Sequence, residues 1–315
     1  TENEQTEKKM ESVLYENTVN ISEHEFTIKE KLEIPSGEAS IKEMLKNDIK
    51  ICDTEYKPLA GKVIIKGVAC ICVLYVNESD EIKFTEIESP FTEVIDADGV
   101  TEDSVCDIDY CVIGAICNAE PDIDGDLRDI ILDIDICAAL KATETAEMDV
   151  LKDCFIPYHK TECVKNTLPL HFTAERPTLQ NTLRDTIEIP QNAPGVSGVY
   201  NIMTNASITK SDQQRNKIVC EGKVEAYVLY LTDTHDNPIY SIKKEIPFSY
   251  MIECKNETEA LDCEMKCLIK HASYNLNSSG EIEIRCLLAI DCMLSKPVLV
   301  ENIDSIKTDE CERRK

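Results

Sequence analysis

Thr27-Ile28-Lys29-Glu30-Lys31-Leu32-Glu33-Ile34-Pro35 returns 155 positions later as Thr182-Leu183-Arg184-Asp185-Thr186-Ile187-Glu188-Ile189-Pro190. Val73-Leu74-Tyr75 returns at the same offset as Val228-Leu229-Tyr230, and so does the glycine six residues before each Val, Gly67 and Gly222. Further on, Pro90-Phe91 returns as Pro247-Phe248 and Cys106 as Cys263, now 157 positions apart. The two extra residues fall between Tyr230 and Pro247, where Thr232-Asp233-Thr234-His235-Asp236-Asn237-Pro238 reads as a polar turn. Insertions in surface turns cost little, so the change of offset supports the alignment. Landmarks that keep their order and nearly their register are a tandem duplication.

Each copy is rich in strand signals. Lys62 to Val76, Ser104 to Cys117, Leu127 to Leu140, Ile218 to Leu231 and Ile282 to Leu294 carry β-branched residues and cysteines at period two. Asp122-Ile123-Asp124-Gly125-Asp126 in copy one and Asn275-Leu276-Asn277-Ser278-Ser279-Gly280 in copy two sit between such strands and read as hairpin turns. Ser40-Ile41-Lys42-Glu43 has the form of a capping box and predicts a short helix from Ile41 to Lys46, with a fainter counterpart from Ser197 to Met203. The expected fold is all-β: two tandem homologous β-sandwich or barrel-like domains, each with a short helix. The expected division is an N-terminal arm over 1–24, a β domain over 25–157, a linker or connecting strand over 158–181, and a second β domain with a C-terminal tail over 182–315.

Composition narrows the partners. The chain of 315 residues is long enough for two such domains, and its 43% hydrophobic content supports packed cores. Against 33 Lys and Arg stand 60 Asp and Glu, a net charge of −27 that repels nucleic acid and anionic lipid. The longest apolar run, Gly67 to Val76, is strand length, so membrane insertion is not expected. No secretory signal is visible at the N-terminus.

Catalytic chemistry needs a positioned base, nucleophile or metal, and the sequence gives no sign of one. None of His24, His159, His171, His235 and His271 shares a motif with a Ser or Cys, and no phosphate-cradling glycine loop is present. Asp122, Asp124 and Asp126 touch the spacing of a calcium loop, but the glycine such a loop needs at its sixth position is Leu127. A solvated acidic turn is the preferred reading. For zinc the sequence has no Cys-x-x-Cys; Cys70-x-Cys72 and Cys263-x3-Cys267 lack paired knuckles. Neither a catalytic residue nor a cofactor is therefore expected. The 16 cysteines divide by context. Cys70, Cys72, Cys137, Cys286 and Cys292 lie in apolar strand runs and read as small core residues. Cys52, Cys154, Cys163 and Cys311 lie beside charged residues near strand ends, the inter-domain stretch or the tail, and are the candidates for cross-links, including cross-links between subunits.

The ordered set Ile34-Pro35, Gly61-Lys62-Val63, Gly67, Val73-Leu74-Tyr75 and Pro90-Phe91, repeated as Ile189-Pro190, Gly222-Lys223-Val224, Val228-Leu229-Tyr230 and Ile246-Pro247-Phe248, resembles the SPOCS domain of clostridial sporulation proteins of the SipL type. The resemblance spans residues 25 to 155 and 180 to 311. It implies a role in building the protein layers around an endospore, through other coat proteins or through copies of the same chain, after synthesis in the mother cell. Members of that family also carry a C-terminal LysM module, and none is visible before Lys315. That departure favours a self-assembling subunit over a tether to the coat scaffold. Assembly would run through β-strand edges and the N-terminal arm, with some cysteines locking contacts. A monomeric adaptor for other coat proteins is the second reading, and a metal- or carbohydrate-binding module the third.

Overall fold

The computed structural model describes residues 7–155, 160–234, 236–277 and 280–308. Every regular element among them is a β-strand. Strands β1 (Glu7–Glu33), β6 (Leu127–Phe155) and β5 (Val105–Pro121) form one sheet in the order β1-β6-β5. Strands β2 (Ile41–Leu59), β3 (Lys62–Asn77) and β4 (Ile82–Asp96) form a second, in the order β2-β3-β4. The two pack face to face, because one apolar cluster draws Ile28, Ile41, Val63, Ile65, Phe91, Cys106 and Ile130 to Ala142 from all six strands.

The second half repeats this plan. Strands β9 (Val196–Gln214), β10 (Lys217–Thr232) and β11 (Ile239–Glu253) form a sheet opposite β8 (Thr178–Ile187), β13 (Ile282–Thr308) and β12 (Asp262–Leu276). Their shared core runs from Ile187 through Val224, Tyr230 and Phe248 to Leu294. Strand β7 (Thr161–Glu175) continues β8 along β13. In copy one the equivalent strand is the unbroken β1. In copy two Arg176-Pro177 interrupts it, since proline has no N–H to give to the ladder; the Pro177 carbonyl still accepts from the Cys292 N–H at 2.9 Å. These are sandwiches; among the described residues no sheet closes into a barrel.

The two expected helices are strands. Ile41 to Lys46 opens β2, and Ser197 to Met203 lies within β9. The reason lies in two register shifts, between Ile41 and Glu43 and between Met44 and Lys46, where β2 has an extra residue against β3. Each bulge sets two successive residues outward, so the inward positions become Ile41, Met44 and Asn47. A three-residue spacing of inward side chains mimics one face of a helix.

The segments set apart in the sequence as arm and linker are also ladder. Residues 7–24 belong to β1 and pair with β6 of the same chain, from Glu7 opposite Phe155 to His24 opposite Ala138. Thr161–Glu175 pairs with the far half of β13. These extensions meet in a small apolar cluster of Val13, Val150 and Val300, flanked by Met148, Leu168, Leu170 and Val298. Arg176 reaches Glu16 at 3.0 Å beside it. Residues 1–6 of the arm lie outside the described residues.

The duplicated landmarks meet across a ladder. Gly67 stands directly opposite Phe91, and Gly222 directly opposite Phe248. Each ring lies over the bare glycine backbone: a methyl group on Gly67 would come within 2.6 Å of the Phe91 ring, and one on Gly222 within 2.4 Å of the Phe248 ring. The glycine offset of 155 and the Pro-Phe offset of 157 therefore describe a single cross-strand pair, separated by a turn that is two residues longer in copy two.

Candidate functional site

The two domains enclose a cleft of about 800 Å³ between β2, β3 and β4 on one side and β9 and β12 on the other. Strand alternation explains its lining. Residues of β2–β4 that point away from the first core, among them Asp48, Lys50, Cys70, Cys72 and Glu86, face the second domain. One end of the cleft is sealed by Leu74, Tyr200 and Leu231, with Phe84 and Ile239 packed against them.

Polar contacts tie the walls together. The Tyr200 hydroxyl donates to Asp48 Oδ2 at 2.7 Å, and the Cys72 thiol to the Tyr200 carbonyl at 3.1 Å. Lys50 Nζ donates to Asn201 Oδ1 at 2.8 Å and to the Ile202 carbonyl. Burial holds the Lys50 ammonium below its usual range, and burial pushes Glu86 above the usual carboxyl range. A lysine of depressed basicity is a familiar carbonyl nucleophile. Here its donors are committed to the backbone and side chain of β9, so it acts as a clamp between domains. His271 Nδ1 sits 3.3 Å from Asp53 Oδ2 without hydrogen-bond geometry.

The cross-link candidates fall in different places. Cys52 lines the cleft beside Cys70, its diagonal neighbour across β2–β3. Cys154 is buried, and the half-buried Cys163 directs its thiol toward the Cys154 carbonyl at 3.9 Å. Cys311 lies outside the described residues, as do His159 and His235. The sequence did not single out Cys111, the one exposed cysteine among the described residues. It sits mid-strand in an apolar run, and only its place on the outer side of β5 exposes it.

The acidic turn is built around Asp122. Its Oδ1 accepts the N–H groups of Asp124 and Asp126 at 2.9 and 3.1 Å, and Gly125 supplies the positive φ of 90° that closes the turn. Arg128 Nε lies 3.6 Å from both Asp122 and Asp126, so the local charge is already answered. Among the described residues no group of three or more His, Cys, Asp or Glu is placed to hold a metal ion. Millimolar calcium is accordingly expected to leave the melting temperature unchanged in a thermal scan, whereas Asp122→Ala should lower stability by about 1 kcal/mol through the two lost turn hydrogen bonds.

The SipL, SPOCS domain family model matches the chain twice, over residues 40–120 and 196–277, which is just over half of it. The chain belongs to the SipL SPOCS-domain family. Each SPOCS match runs from the start of the bulged strand (β2, β9) to the first strand of the closing hairpin (β5, β12), and so contains the Gly–Phe cross-strand pair. The family is associated with sporulation and is not known as an enzyme family. No curated protein and no solved structure matches the chain. No helix among the described residues is long and apolar enough to cross a membrane.

Proposed function

We propose that this SPOCS-domain chain is a non-enzymatic structural subunit of the spore envelope, in the coat, exosporium or a spore appendage, and that it self-assembles through its sheet edges. Its membership of a sporulation family, twice over, carries the reading. Sheet geometry supplies the means. Strand β5 has a single ladder partner among the described residues, β6, and its outer side presents Ile113 and Ile116 at 53% and 60% exposure beside Cys111. An unpaired strand with outward apolar residues is a template for another strand. Because residues 7–24 are already paired within their own chain, assembly is assigned to edges such as β5 and not to a donated arm.

The test is a concentration series of purified protein viewed by negative-stain electron microscopy, with denaturing gels run with and without reductant. Regular fibres or sheets are expected. Ile116→Lys should abolish them while leaving the melting temperature within about 1 °C, because an exposed side chain contributes little to folding. Monomers at every concentration would sink the self-assembly reading. They would favour a monomeric adaptor for other coat proteins, a role to which the open cleft between the SPOCS domains is suited.

A further inference from the structure

Cysteine density in this chain has a geometric consequence inside each domain. Cys52 lies opposite Val68 and Cys70 opposite Lys50, so the two cysteines are diagonal neighbours on one face of β2–β3. Cys263 lies opposite Leu294 and Cys292 opposite Met265, the same diagonal relation on β12–β13. In both pairs the side chains share one face of the sheet as diagonal neighbours, and a small backbone adjustment brings such sulfurs to bonding distance. The pairs are not two images of one site: Ser207 and Glu225 stand at the copy-two counterparts of Cys52 and Cys70, and Cys106 and Leu140 at the copy-one counterparts of Cys263 and Cys292.

Cys52 and Cys70 both open onto the interdomain cleft, whereas the second pair is asymmetric: Cys263 opens onto a recess lined by Ser211, Asp212 and Glu259. Cys292 is 3% exposed, within the second core. Cys111 and Cys137 stand directly opposite each other on the outer face of β5–β6, but the Cys111 thiol turns to the carbonyl of Val112, and the Cys163 thiol faces the Cys154 carbonyl.

We propose that Cys52–Cys70 and Cys263–Cys292 are intrachain disulfide sites, one in each domain, formed by exchange with a small-molecule disulfide such as glutathione disulfide. The first thiolate, Cys263 in the second pair and either cysteine in the first, attacks one sulfur of the small disulfide; that S–S bond breaks and one small thiolate leaves. The other thiol of the pair then loses its proton to solvent and attacks the protein sulfur of the mixed disulfide. The second small thiolate leaves and the protein S–S bond closes. Two protein thiols are oxidised and one small disulfide is reduced to two thiols. In the second pair the order follows from access, since Cys263 opens onto solvent and Cys292 lies within the core; in the first pair both sulfurs reach the cleft and either can be the first to attack.

The whole reduced chain, treated with glutathione disulfide, alkylated, digested and mapped by mass spectrometry, should show these two linkages within monomers. Cys72→Ser and Cys286→Ser settle which sulfur of each cysteine-containing peptide is used. The order of attack gives a second readout. Cys70→Ser should trap a glutathione adduct at Cys52, and Cys292→Ser one at Cys263. Cys263→Ser should leave the buried Cys292 unmodified under the same conditions. If a serine variant does not fold, the mapping of the unsubstituted chain still decides. Linkages elsewhere, linkages only between chains, or none at all would overturn the proposal.

Discussion

Gly222→Ala should cost about 3 kcal/mol or more of folding stability, read as a fall in the urea midpoint at unchanged slope. Neither Gly222 nor Gly67 adopts a left-handed backbone, so the requirement at both is one of space alone. At Gly222 an added methyl would meet the Phe248 ring at 2.4 Å and the Ser207 carbonyl oxygen at 2.4 Å. The ring can tilt. The carbonyl belongs to β9, whose ladder with β10 shifts register at that point, and it can yield only if hydrogen bonds break. At Gly67 the nearest backbone atom, the Cys52 carbonyl oxygen, is 3.4 Å away, and only the Phe91 ring obstructs. Gly67→Ala should therefore be milder, about 1 kcal/mol. Combining Gly222→Ala with Phe248→Leu separates the two obstacles. If the ring were the whole problem, the double variant would be no worse than Phe248→Leu alone. We expect it to remain clearly less stable, because the carbonyl clash survives.

This pair shows what the sequence made legible and what it did not. Gly67, Gly222 and the two Pro-Phe steps are visible as repeated landmarks, and the change of offset correctly locates a longer turn. That each glycine faces its phenylalanine across the ladder is a long-range fact, and spacing along the chain does not encode it. Period two revealed the central strands β3, β6, β10 and β13, where alternation is strict because one face is buried. It was masked at the start of β2, where Ser40 to Glu43 has the form of a capping box and two bulges interrupt the alternation. Residues 7–24 read in the sequence as an arm to be held by a sheet edge, and the edge that holds them is β6 of the same chain. That segment is held by backbone pairing to β6 more than by apolar side chains, with Val13 its one buried hydrophobic residue. The cleft was invisible for a related reason. Lys50, Asp48, Tyr200 and Asn201 are ordinary residues until two domains bring them within hydrogen-bond distance.

Tyr200→Ala should be the most damaging substitution at the seam between the domains. Tyr200 is 1% exposed, packs edge-on to Phe84 of the other domain with ring centroids 6.0 Å apart, and caps the cluster with Leu74 and Leu231. Removing a buried aromatic ring of this kind costs roughly 3–5 kcal/mol. The loss falls on the contact between domains and not on either core. The expected result is that a single calorimetric transition splits in two, with the separate sandwiches still folded. One transition at a much lower temperature would mean instead that the second core depends on Tyr200. Tyr200→Phe keeps the ring and removes only the hydroxyl that Asp48 accepts from, and should cost about 1–2 kcal/mol. It should also alter the response to acid. Burial pushes the Asp48 carboxyl up, but Lys46, 2.8 Å away, and the Tyr200 hydroxyl outweigh burial and hold it below its usual range. A carboxyl with a lowered pKa in the folded state contributes stability that is present above its unfolded pKa of about 4 and is lost as the pH falls through the lower folded value. Stability measured from pH 6 downward should therefore decline below about pH 4 in the unsubstituted chain, and less steeply in Tyr200→Phe. Equal slopes in the two proteins would show that Asp48 owes its low pKa to Lys46 alone, leaving the hydroxyl as a packing contact across the seam.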